Sequence, residues 1–472
     1  SANTSGTSNT GVGHGALAVN TTGGENVAVG YGVLDGNTTA SNNTGVGYLA
    51  LTANTTGHTN TAIGKSALAA GTTGTNNTAV GANAMYQGAV TGNYNIAVGT
   101  SSLRFLTSGS SNVAIGINSL EANTTASNNT AVGMSSLAAN TTGGDNVALG
   151  KSALQANTTG AGNTSIGIAS LDANTTGSTN TAVGKNSLSA NTTASNNTAV
   201  GRDAMIANTT GASNTAVGAL ALDANTTGTE NVAVGYGTLG ANTTGIDNTA
   251  IGASALTYNT TGSHNSGLSR ATLVNNTTGS YNTAAGKSAL QSNTTGTSNV
   301  AIGLDALFTN TTGSSNTATG KNALRYNATG RFNTAIGADS LYTNTTGEDN
   351  VAVGLNALYY NTTASNNTAV GRSALQDNTT GANNTATGFY SLEANTTGTQ
   401  NSAVGSYALA LNTTGGYNIA LGVNSLYYNT AGSYNTGLGV SALQSNTTGD
   451  NNTASGHAAS YSNTTGGQNT SS

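Results

Sequence analysis

Four histidines, His14, His58, His264 and His457, are the side chains best suited to acid–base or metal chemistry. No two of them fall close enough in the chain's repeat to share a metal ion, so they read as surface turn residues. No Ser-His-Asp set can be assembled around them. The GVG and GYG fragments open no helix and therefore do not cradle phosphate. The 16 acidic residues scatter, whereas hard cations need clustered oxygen ligands. The sequence thus predicts no catalytic residue, no metal and no cofactor, and reads as a non-enzyme. Two other chemistries remain. Asn-Thr-Thr recurs along the chain, at Asn20, Asn37, Asn54, Asn123, Asn140 and Asn157 among others, and each is an acceptor pattern for Asn-linked glycosylation. Asn-Asn-Thr adds Asn42, Asn76, Asn128 and Asn196. Tyrosine crowds the second half, at Tyr326, Tyr342, Tyr359, Tyr360, Tyr427 and Tyr428.

The elements that carry these residues follow from the composition. The 472 residues include 66 Gly and no Pro, Cys or Trp, and only 6% are charged. Large apolar residues are too few to fill the centre of a globule of this length. Low charge and strict periodicity argue equally against disorder. A net charge of -5 with no dense basic stripe excludes nucleic acid as a partner. There is neither a disulfide nor an apolar run of membrane-spanning length, so no membrane insertion is expected of this segment.

The period settles the architecture. Taking the Asn of "NTAVG" as column 0, anchors fall at Asn9, Asn26, Asn43, Asn60, then on through Asn180 and Asn197 to Asn469. These are 27 steps of seventeen residues, with one of eighteen between Asn77 and Asn95. Residues 1–8 are a partial repeat, 9–468 a continuous array, and 469–472 the start of a further repeat, as in a piece of a longer array. Repeats of this length indicate a solenoid. Two or more Gly per unit and many β-branched residues exclude helix. Columns 1 and 3 alternate with small residues at 2 and 4, the period-two mark of a strand. Ala-Leu at columns 7 and 8 reads as the start of a second strand, and "NTTGxx" as a turn. The expectation is an all-β parallel β-solenoid of about 27 rungs.

In that reading columns 1, 3 and 8 point inward. The core is then Val12, Leu17, Val29, Leu34, Ile63, Leu68, Ile115, Leu120, Val183, Leu188, Ile251, Leu256, Val353 and Leu358. Small columns 2 and 7 leave a smooth outer surface or let another backbone approach closely, either at a seam between chains or in packing the repeats of a lone filament. Asn at columns 0 and 11 stacks as amide ladders, column 0 through Asn9, Asn26, Asn43, Asn60, Asn180 and Asn197. Between residues 86 and 107 the pattern stumbles, which a local bulge or loop explains.

The unit "NTAVGxxALxANTTG" resembles the head repeats of trimeric autotransporter adhesins of the YadA-like kind, and related tail-fibre and bacterial surface repeats. The resemblance covers essentially the whole chain. It implies a left-handed parallel β-roll, side-by-side homotrimers and an extracellular or cell-surface setting. The unit here is longer, the extra length lying in "NTTGxx", and no heptad stalk or membrane anchor is seen.

Function is therefore expected to be structural: the rigid repetitive shaft of an adhesin-like appendage or filament, with self as partner in a trimer or end-to-end array. The alternatives are a viral tail-fibre shaft and a glycan-binding module built on the Tyr-rich half. Basic residues concentrate in column 5 (Lys65, Lys151, Lys185, Arg202) and acidic ones in columns 9 and 16, either to pair neighbouring chains or because turns tolerate charge. The tyrosines either bind glycans or a sister chain, or simply reinforce the sheet. The Asn-Thr-Thr sites are either glycosylated or are turn and ladder residues.

Overall fold

The computed structural model describes residues 2–472, and the chain is an all-β parallel β-solenoid of about 27 turns. Its contacts divide it into two units, Ser1–Val234 and Gly235–Ser472. The first carries strands β1 (Thr10–Val12) to β14 (Val232–Val234), the second β15 (Thr249–Ile251) to β28 (Thr470–Ser471). Within each unit every strand pairs in parallel with the next in sequence. The register is that of the repeat, as in Thr181↔Thr198, Ala182↔Ala199 and Val183↔Val200. The extra residue between Asn77 and Asn95 is absorbed in the loop between Met85 and Val90, and Thr78 still pairs with Ile96.

Each rung has one strand of three residues. Columns 5 to 10 form turns and not the second strand that Ala-Leu suggests. The reason is the backbone: columns 6 and 8 lie in the left-handed region, as at Ser66 (φ 55) and Leu68 (φ 48), on either side of Ala67. Alternating hands curl the chain instead of extending it. The turns still bond between rungs: Leu68 N–H donates to Ala84 O at 2.8 Å, and Ser66 N–H to Tyr48 O at 2.8 Å. Backbone donors are thus satisfied by stacking even where no strand exists.

The core differs from the sequence reading. Column 8 is interior as expected: Leu34, Leu68, Leu120, Leu188, Leu256 and Leu358 are sealed from solvent, and Leu17 nearly so. Column 3 is not. Val12 (57% exposed), Val29, Ile63, Ile115 and Ile251 face solvent, and Val183 and Val353 are half-buried. The residues that face inward are columns 2 and 7, such as Ala28, Ala62, Ala67 and Ser119, all fully buried. These columns form neither an outer surface nor a seam between chains. A three-residue strand can turn only its middle residue against the column-8 leucine, and the space there is one methyl deep. A Cβ placed on Gly11 would sit 3.7 Å from Leu17 Cδ1. Where column 7 carries its one valine, Val33, column 2 of the next rung is Gly45, whose added Cβ would lie 2.5 Å from Val33 Cγ1.

Asparagine completes the interior. Asn26 donates its backbone N–H and its Nδ2 to Asn9 Oδ1, at 3.0 and 3.1 Å. Its other Nδ2 hydrogen reaches Ala40 O at 2.9 Å. Asn37, at column 11, donates to Asn20 Oδ1 at 2.8 Å and to the same Ala40 O at 3.0 Å. Two amides thus clasp one corner carbonyl and continue to the preceding rung. In column 0 the backbone N–H of Asn43, Asn60, Asn180 and Asn197 likewise donates to the Oδ1 of the preceding rung's Asn. The column-11 ladder breaks between Asn54 and Asn123, where Gly71, Gly88 and Leu106 stand and Leu106 and Val90 are buried. Removing both partners of a buried polar contact together is the inexpensive way to interrupt it.

Candidate interaction surfaces

The Asn-Thr-Thr acceptors are the first candidates the structure overturns. Asn20, Asn37, Asn54, Asn123, Asn140 and Asn157 are all buried. Five of them place Nδ2 on both an Asn Oδ1 of the preceding rung and the carbonyl three residues on. Asn123 keeps only the second contact, to Ala126 O. A glycan on Nδ2 would take the ladder hydrogen and need space the interior lacks. Column 11 is therefore ladder chemistry. The Asn-Asn-Thr residues Asn42, Asn76, Asn128 and Asn196 at column 16 are exposed.

Histidines take stacking and capping roles. His14 lies on Tyr31 with centroids 5.1 Å apart, and His264 on Tyr281 at 4.8 Å. His58 Nδ1 accepts from Ser41 N–H at 3.0 Å. Among the described residues no group of three or more His, Cys, Asp or Glu is placed to hold a metal. The ion pairs run along the chain between rungs, as Arg104–Glu121 (3.6 Å), Arg325–Asp305 (3.4 Å) and Arg331–Glu348 (3.1 Å). Of the column-5 bases only Arg202 is ion-paired among the described residues, with Asp203. The carboxyls of Asp172, Asp223 and Asp377 are pushed above the usual range by burial. Asp172 borders an apolar hollow of about 480 Å³ with Ala138, Ala139, Gln155 and Ala156, and its Oδ1 has no hydrogen-bond partner.

The structure brings the six tyrosines singled out in the sequence into two groups, both in the second unit. Tyr326 meets Tyr342 edge-on at 5.0 Å, Tyr342 stacks on Tyr359 at 4.9 Å, and Tyr360 closes on Tyr359 at 4.6 Å. Arg325 lies 5.5 Å over Tyr326. These rings cover one another's faces. The Tyr342 hydroxyl is held above its ordinary pKa by its hydrogen bond with Tyr326, then by burial, and Tyr359 chiefly by burial. The second group is similarly exposed. Tyr407 stacks on Tyr390 at 5.6 Å and meets Phe389 edge-on at 5.5 Å. Its centroid lies 6.1 Å from that of Tyr427, with the planes at 66°, and Tyr428 stands against Tyr427 at 4.7 Å. Tyr407, Asn424, Tyr427, Tyr428 and Gln444 line a cleft of about 310 Å³.

Sequence reasoning found Tyr427 and Tyr428 but missed Tyr407, Asn424 and Gln444. The missing signal was that columns 6 and 9 share a face, which follows only once columns 5 to 10 are seen to be turns.

A third surface is the stripe that columns 1 and 3 present outward. It includes Val12, Val29, Ile63, Ile115, Leu149 and Val217 in the first unit, and Ile251, Leu268, Ile302, Ile336, Val404 and Leu421 in the second, all exposed. Contiguous apolar surface of this kind marks an interaction face more often than it is left to water. The chain matches no protein-family model, and no curated protein is significantly similar to it.

Proposed function

We propose that the chain is a structural protein, a length of repetitive fibre of the adhesin or appendage type that associates with further copies of itself outside the cell. The observation that carries this reading is where the chemistry of each rung is spent. The buried asparagines bind the next rung, the threonines of column 12 donate to the next rung's backbone, as Thr21 Oγ1 to Thr38 O at 2.9 Å, and the aromatic stacks run from rung to rung. The repeat invests in its own continuation, as quasi-one-dimensional arrays do. The outward aliphatic stripe is the surface we assign to contact between copies. The adhesin-like setting rests on the resemblance of the repeat unit.

The test is sedimentation velocity of the full chain over a wide concentration range, with negative-stain microscopy of the same samples. Fibres or defined oligomers are expected, and Ile302→Lys with Ile336→Lys should dissociate them, since a charge on an apolar contact face is unpaired when buried. A monomer at every concentration, with no fibre on the grid, refutes the reading. Surface labelling of intact source cells with an antibody to the chain checks the location.

A further inference from the structure

We propose that the cleft lined by Tyr407, Asn424, Tyr427, Tyr428 and Gln444 holds on its surface a neutral pyranose of an oligosaccharide chain. The proposal goes beyond the fibre reading and does not depend on it.

Three observations carry it. The cleft has two kinds of wall. Tyr407 and Tyr427 give ring surface inclined at 66°, and Tyr428, 47% exposed, extends the rim. Asn424 and Gln444 add primary amides. A pyranose has that same duality, one face of C–H groups that lies on an aromatic ring and a girdle of hydroxyls that both donate and accept, as an amide does.

The amides are also unengaged. Asn186 and Asn322, in the same column as Asn424, each donate to an Asp one rung on, Asp203 and Asp339, at 3.0 and 2.9 Å. Seventeen residues after Asn424 stands Ser441, and among the described residues neither the Asn424 amide nor that of Gln444 makes a side-chain hydrogen bond. The other tyrosine group also has a column-6 amide, Asn356, but there Tyr342 lies between Tyr326 and Tyr359, at 5.0 and 4.9 Å.

Finally, the lining residues carry no charge, so the cleft offers no counter-charge and favours a neutral ligand. A volume of about 310 Å³ lies at the small end of ligand sites, which suits one or two sugar residues and not a folded partner.

The experiment is saturation-transfer NMR of the full chain with four neutral probes, cellotetraose, chitotetraose, maltotetraose and mannotetraose, followed by titration of any that respond. At least one probe is expected to bind with Kd in the millimolar range or tighter. Tyr427→Ala and Asn424→Ala should each weaken it about tenfold, the loss of one ring contact or one hydrogen-bonding group. Tyr342→Ala with Tyr359→Ala should leave it unchanged, and circular dichroism should show all variants folded. Absence of transfer from all four probes overturns the proposal. So does binding that survives both cleft variants, and binding lost only in the Tyr342 and Tyr359 variant would move the site to the other group. The sedimentation result is read separately, so either idea can fail alone.

Discussion

Asn276→Asp is the sharpest probe of the amide ladder. Asn276 is fully buried, and its Nδ2 donates to Asn259 Oδ1 at 2.7 Å and to Gly279 O at 2.9 Å. Its Oδ1 accepts from Asn293 Nδ2 at 2.7 Å. Aspartate keeps the shape and the accepting role. It loses both donors, and its second oxygen then faces two acceptors. Gly279 O keeps its bond from Asn265 Nδ2 at 2.9 Å, but Asn259 Oδ1 and the introduced oxygen are left unsatisfied, at about 1–3 kcal/mol each, so about 2–6 kcal/mol at neutral pH. Burial beside other oxygens raises the carboxyl's pKa above the unfolded value of about 3.9. The folded state therefore binds the proton more tightly, and its stability is greatest below about pH 4 and lost as pH rises through the folded pKa. Protonated, the acid donates one hydrogen, so roughly half of the loss should be recovered at low pH.

The assay is denaturant unfolding at pH 3.5 and 7.5, with hydrogen exchange read at the strands Ser266–Leu268 and Thr283–Ala285, which flank the lesion. Asn383→Asp, at an exposed column-16 position, is the control, and should shift stability by less than about 0.5 kcal/mol. If Asn276→Asp matches that control, or if its stability increases from pH 3.5 to 7.5, the ladder does not bear the energy assigned to it.

Four further outcomes are expected. Gly45→Ala should destabilise by about 1–3 kcal/mol because its Cβ meets Val33 Cγ1, and Val33→Ala should rescue it; additive effects in the double-mutant cycle would refute the size coupling. Ser269 is the single non-glycine at column 4 and holds φ 127, so Ser269→Gly should stabilise by about 1 kcal/mol, strain relief of about 1–3 less the entropy of glycine, read as a raised denaturant midpoint. The carboxyls of Asp377 and Glu393 are raised chiefly by burial, with Asp377 also acting on Glu393. Their contribution to stability is thus full below about pH 4 and falls as pH rises through the folded values, and Asp377→Asn should flatten that slope in unfolding titrations. Peptide mapping of the protein from its source should find the column-11 asparagines unmodified, with any Asn-linked sugar at exposed positions such as Asn42 and Asn128; sugar on Asn140 or Asn157 in folded protein would contradict the ladder.

The period, the parallel stacking, the asparagine ladders and the leucine column were legible because each depends on residue type recurring at a fixed interval. The side of the strand that faces inward was not. Val and Ile at column 3 look like core by hydropathy, yet the interior selects for size, and the informative columns were those that stay small. Val33 opposite Gly45 was the visible trace of that constraint. The left-handed leucines had no sequence signal at all, since bulky residues rarely adopt positive φ. That conformation, at Leu256 (φ 53) as at the other column-8 leucines, turns the expected second strand into a curl. It also places Tyr407 and Tyr427 on one face, so half of the cleft stayed hidden while the Tyr-rich region itself was plain.

The amide ladders have a direction. Asn20 donates to Asn3, Asn37 to Asn20, Asn276 to Asn259 and Asn293 to Asn276, always toward the lower-numbered rung. Column 0 points the same way, Asn26 to Asn9 and Asn282 to Asn265. A cut across either unit would therefore bare the ladders' side-chain amide hydrogens on one face and their side-chain oxygens on the other, although backbone groups donate in both directions. Two like faces would meet donor to donor or acceptor to acceptor, whereas unlike faces are complementary. The aligned side-chain amides also sum to a permanent dipole along the stacking axis, as peptide units do in a helix. Along its asparagine columns such a material is vectorial: the ladders of severed pieces match in one sense only.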